Sequence, residues 1–90
     1  MSSGDEIVDK LREVSALLAA NGQTRWSVGF EQLAAELPSN PEAIKAKIRG
    51  CYGGMGSFND LVLHRERLPL KDENIELDRL REELWNLCRG

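Results

Sequence analysis

Ile7, Leu11, Val14 and Leu18 stand four, three and four residues apart. That spacing gathers them on one stripe of an α-helix, with Val8 and Leu17 widening it. The pattern returns three times. Trp26, Phe30, Leu33 and Leu37 form a second stripe, Ile44, Ile48 and Cys51 a third, and Leu77, Leu80, Leu84 and Leu87, completed by Cys88, a fourth. A breaker separates each helix from the next: Asn21-Gly22, then Pro38, then the glycines between Gly50 and Gly54. Glycine and proline stop helices through backbone entropy and a missing N–H. A chain of 90 residues cut this way fits one small, mainly α domain, a bundle of about four helices over residues 1–90. The expected helices are about 5–20, 25–37, a third that starts at Ser39–Glu42 and fails near Gly50–Gly54, and 74–88.

Local signals refine the ends. Ser3 is a candidate N-cap, with Asp5 and Glu6 suiting the helix dipole. Thr24 can cap the second helix. Ser39 with Glu42 has capping-box spacing, and Asn40 before Pro41 competes for that role. Asp72 or Asn74 can cap the last helix. Gly29 lies inside the second helix and weakens it by about 1 kcal/mol relative to alanine. Close approach of another backbone is a physical reason for glycine there. Residues 58–70, FNDLVLHRERLPL, fit a short β-hairpin near 60–70, with Leu61–Leu63 and Leu68–Leu70 around His64–Arg67. Pro69 restricts it to an edge. A short helix over Asp60–Leu63, capped by Ser57, is the alternative.

The net charge of −3 is unevenly spread: residues 45–71 hold six basic and two acidic groups, and both ends are acidic. An acidic body argues against broad nucleic-acid binding. No apolar run reaches the roughly 20 residues of a membrane span. MSSGDEIVDK lacks the layout of a signal peptide, so a cytoplasmic location is expected. Cys51 and Cys88 are expected as free thiols, with a bridge between them left open.

The stretch CYGGMGSFNDLVL, Cys51–Leu63, holds three glycines within four residues. It lacks the Lys-Ser/Thr pair of a P-loop and the strand and acidic residue of a dinucleotide fingerprint. The preferred reading of Gly53, Gly54, Met55, Gly56 and Ser57 is a tight turn at positive φ, with Met55 in the core and Asn59 and Asp60 bonding local backbone. The alternative is an anion nest that makes the chain a phosphate- or nucleotide-binding module, with Arg49 and Arg65 adding charge. His64 is the single histidine. Ser57, Asp60 and His64 do not form a complete catalytic set without an oxyanion hole and a cleft. One His and two separated Cys give no structural zinc spacing. No enzyme activity, cofactor or metal is expected. Trp85 sits off the leucine stripe of the last helix, near Asp78, Arg81 and Glu82 at helical spacing. A tryptophan on a charged flank is an economical interface anchor, and cover by another element, such as 58–70, is the competing reading. A homodimer through Leu77–Leu87 stays open.

GGMGS, then an aromatic or leucine, then NDLVL, resembles a family of short, uncharacterised bacterial domains. ENIELDRLREELWNLC, Glu73–Cys88, is similar to that family's C-terminal helix, so the resemblance spans roughly residues 44–88. It implies a glycine-containing turn after NDLVL, where this chain has His64-Arg65-Glu66-Arg67. It brings no activity with it. Small acidic bacterial domains of this sort often neutralise toxins, so the resemblance implies an immunity protein whose partner is a toxin domain. Docking on a basic cleft through Asp78, Arg81, Glu82, Glu83 and Trp85 follows as an expectation.

Overall fold

The computed structural model describes residues 3–53 and 57–89, the Ser3 side chain excepted. Gly54, Met55 and Gly56, and with them the expected Met55 plug, lie outside the described residues. Among those described there are four α-helices: α1 (Ser3–Ala20), α2 (Thr24–Glu36), α3 (Pro41–Gly50) and α4 (Lys71–Arg89). A two-strand antiparallel hairpin, β1 (His64–Arg65) with β2 (Leu68–Pro69), stands between α3 and α4.

The apolar stripes build the core. Ile7, Leu11, Val14 and Leu18 are fully buried on α1, as are Leu77, Leu84 and Cys88 on α4. Each buried leucine or isoleucine contributes about 1.5–3 kcal/mol relative to exposure. α1 packs on both α2 and α4, and α3 packs on α4, while α2 and α3 meet only sparingly. Two buried serines join α1 to α2. Ser15 Oγ donates to the Ser27 carbonyl at 3.0 Å and lies 2.8 Å from Ser27 Oγ. A hydroxyl has one proton, so Ser27 Oγ is the donor of that second bond.

Asn21-Gly22 ends α1 as expected. Gly22 takes φ 78°, and the N–H groups of Gly22 and Gln23 bond the Ala19 and Leu18 carbonyls at 3.3 and 2.8 Å. This is the Schellman arrangement, which favours glycine at that position. The caps differ from expectation. Thr24 is already helical, and Gln23 holds the N-cap position without a side-chain bond. Asn40 caps α3 by position, with Pro41 next, which puts the Ser39–Glu42 box out of register. On α2 the buried positions are Ser27, Phe30 and Ala34, whereas Trp26 and Leu33, expected in the core, are half-buried at its edge.

α4 starts at Lys71, three residues before Asn74. Asn74 is therefore no cap, and its amide works sideways. Oδ1 accepts the Leu63 N–H at 2.7 Å, and Nδ2 donates to the Leu63 and Leu70 carbonyls at 2.9 and 2.8 Å. One side chain thus gives the Leu63 N–H the partner that the facing arm does not supply, and clamps both arms of the hairpin to the helix.

The hairpin turn is shorter than the four residues expected. His64 pairs with Pro69 and Arg65 with Leu68, leaving Glu66 and Arg67 at φ 51° and 70°. Leu61–Leu63 lies ahead of the first strand, joined to the other arm by the Leu70 N–H bond to the Leu63 carbonyl at 3.0 Å, and the alternative helix is reduced to a single 3-10 turn at Phe58–Asp60. Two central residues at positive φ match the twist of a hairpin, and Asn-Gly suits them best. Side chains other than glycine pay about 1 kcal/mol in that region. The double substitution Glu66→Asn with Arg67→Gly is expected to stabilise the fold by roughly 1 kcal/mol. An unchanged or lower Tm in thermal melts counts against this turn geometry.

Candidate functional site

The register of α4 sorts its charged residues onto two sides. Leu77, Leu80, Leu84 and Cys88 face inward. On one flank, Glu83 bonds Lys10 of α1 at 3.2 Å and Arg79 at 2.6 Å. Arg79 also pairs with Glu76. On the other flank stand Asp78, Glu82 and Trp85, all exposed. Of the residues expected to bind a partner, the structure gathers Asp78, Arg81, Glu82 and Trp85 around one groove and sends Glu83 to the far side.

That groove has a volume of about 450 Å³, and Tyr52 and Asn59 complete its lining. Tyr52 follows α3, its ring centroid 5.1 Å from Trp85 and 5.4 Å from Phe58. Its hydroxyl donates to the Arg81 carbonyl at 2.7 Å. Burial pushes the phenol pKa up, so the group stays a neutral donor. Tyr52 therefore covers part of Trp85, a role that the competing reading gave to another element such as 58–70. Trp85 remains 37% exposed. Tyr52 was not singled out in the sequence, because nothing in Cys-Tyr-Gly-Gly says which helix the ring will meet.

Arg81 lies deepest. Its Nη1 donates to the carbonyls of Phe58, Leu61 and Asn59 at 2.8, 2.9 and 3.3 Å, and its Nη2 meets Asp78. The guanidinium also sits 5.7 Å from the Phe58 ring centroid. It is a buried brace between α4 and the 58–61 loop, and it contributes only an edge to the groove. Asp78 is 68% exposed at its side chain. Glu82 has no ion-pair partner among the described residues. The groove thus offers an aromatic wall and a partly uncompensated acidic rim.

The described ends of the glycine segment form a closed corner. The Phe58 N–H bonds the Cys51 carbonyl at 2.8 Å, and Ser57 Oγ approaches the Tyr52 carbonyl at 3.5 Å. Gly53 does not take positive φ; Gly22 is the one described glycine that does. Arg49, expected to lend charge there, donates to the Cys88 carbonyl at 2.6 Å, and Arg65 is on the hairpin. Asn59 and Asp60 are exposed. Asp60, Ser57 and His64 share a shallow pocket of about 370 Å³ with Trp26, Leu61 and Val62. Both cysteines are free thiols, and burial raises Cys88 to about 11. Among the described residues, no helix is long and apolar enough to cross a membrane, and no group of three His, Cys, Asp or Glu side chains is placed to hold a metal ion.

A family model described as Domain of unknown function (DUF6966) matches residues 19–69. The match takes in α2, α3, the glycine segment and the hairpin, and stops before α4. The match supports an uncharacterised short domain and overlaps the resemblance read over 44–88 at residues 44–69. No curated protein and no solved structure matches the chain.

Proposed function

We propose that this chain, which belongs to the DUF6966 family of domains of unknown function, is a small protein-binding domain whose partner is a basic bacterial toxin domain. In this reading it acts as an immunity protein, occluding the toxin's active site and carrying out no chemistry itself. The observation that carries the reading is Trp85, half-exposed against Tyr52 and edged by Asp78 and Glu82. A rigid aromatic pair desolvates at low entropic cost, and a carboxylate rim orients a cationic surface. The Asp78 carboxylate is 68% exposed beside the buried Arg81, so it can face a partner from the groove rim.

The test starts from tagged protein captured in its own host, with stoichiometric partners identified by mass spectrometry. The reading expects a larger protein that is toxic when expressed alone and harmless beside this chain. Against it, Trp85→Ala is expected to raise Kd by at least tenfold. Asp78→Asn with Glu82→Gln is expected to slow association about tenfold at low salt, and far less at high salt. An unchanged association rate at low salt removes acidic docking.

A further inference from the structure

The sparse contact between α2 and α3 leaves a second groove, of about 420 Å³, on a different part of the surface. Its floor is Trp26, Gly29, Phe30, Leu33 and Cys51, and Arg25 on α2 and Lys47 on α3 flank it. No carboxylate lines it. Among the described residues, neither Arg25 nor Lys47 has an ion-pair partner. An apolar floor between two unpaired cations on facing helices complements a ligand that is apolar along its middle and acidic along both edges.

Gly29 adds an independent constraint. A glycine inside a helix weakens it, and close packing within the fold is the usual compensation. Here a Cβ built on Gly29 meets nothing within 4 Å, and its φ is not positive. Among the described residues nothing packs closely enough on Gly29 to require a glycine. The missing side chain would let a backbone arriving from outside lie close to the floor. The gap between two adjacent helices is the shape a third helix fills, ridge into groove.

We propose that the α2–α3 groove takes an amphipathic α-helix of a protein partner, its apolar stripe crossing Gly29 and its acidic flanks meeting Arg25 and Lys47. This site stands apart from the acidic Trp85 groove and selects the opposite charge, so it does not depend on the toxin reading.

A displayed library of helix-forming peptides, selected against the full chain, tests the proposal. Enriched peptides are expected to carry apolar residues at i, i+4 and i+7 with Glu or Asp on both sides. Gly29→Leu, whose side chain fills the groove, is expected to weaken them at least tenfold while melting no lower than the parent. Arg25→Glu with Lys47→Glu is expected to weaken acidic-flanked peptides at least tenfold and to favour their Lys-flanked analogues. This pair of surface changes keeps the test valid if Gly29→Leu fails to fold. Failure to enrich any helical peptide overturns the proposal. So do enriched peptides with neutral or basic flanks, or peptides indifferent to both variants.

Discussion

Phe58→Ala is expected to cost the fold about 4 kcal/mol, the middle of the range for a buried aromatic. Phe58 is completely buried, and three other rings meet it: Phe30 at 4.7 Å, Tyr52 at 5.4 Å and Trp26 at 5.6 Å between centroids. Trp85 joins through Tyr52, so the chain's five aromatic residues form one connected series with Phe58 at the junction. Truncation there opens a cavity lined by neighbours on α2, in the turn after α3 and on α4, and they cannot all collapse into it. A domain of this length has a total stability of roughly 5–13 kcal/mol. The variant therefore sits near the edge of folding. Urea unfolding of the two proteins measures the difference, and a loss under about 1 kcal/mol contradicts the role assigned to Phe58.

Arg81→Met is expected to cost about 3 kcal/mol. Methionine keeps most of the stem and removes the donors, leaving the carbonyls of Phe58, Asn59 and Leu61 to find water or go unpaired. Arg81→Lys is expected to recover only part, because an ammonium lacks the planar fork that reaches several carbonyls and Asp78 together. Hydrogen exchange is expected to rise first in residues 57–63, where those carbonyls lie. The combined Phe58→Ala, Arg81→Met protein is expected to lose less than the sum of the two, since both changes release the same loop. A Lys variant as stable as the parent, or strict additivity, removes the brace.

The helices were legible because their apolar spacing is local. Ile7 through Leu18 and Leu77 through Cys88 announce a buried face without reference to the rest of the chain. The hairpin was legible as an element and less so in register, because neither Glu66 nor Arg67 advertises positive φ as glycine does. Asp78, Glu82 and Trp85 share a helix flank by spacing alone, so that part of the groove could be read in advance. Arg81 and Glu83 could not be placed the same way. Their partners lie 20 or more residues away for the Arg81 carbonyls and 73 away for the Glu83–Lys10 bond. A charged residue on a helix flank looks alike in sequence whether loop carbonyls arrive beside it or water does. Asn74 follows the same rule: its short amide suits a cap, and the arrival of Leu63 gave it a different use.

Each of the two grooves has its own tryptophan in its wall, Trp26 in one and Trp85 in the other. Tyr52 is close enough to Trp85 to pass its excitation on, so ultraviolet emission from this protein comes essentially from two indoles in unlike surroundings. The molecule is in that sense already labelled at both surfaces. Replacing one indole at a time with phenylalanine leaves a single lamp, and the colour and brightness of that lamp tell which surface an added molecule has covered.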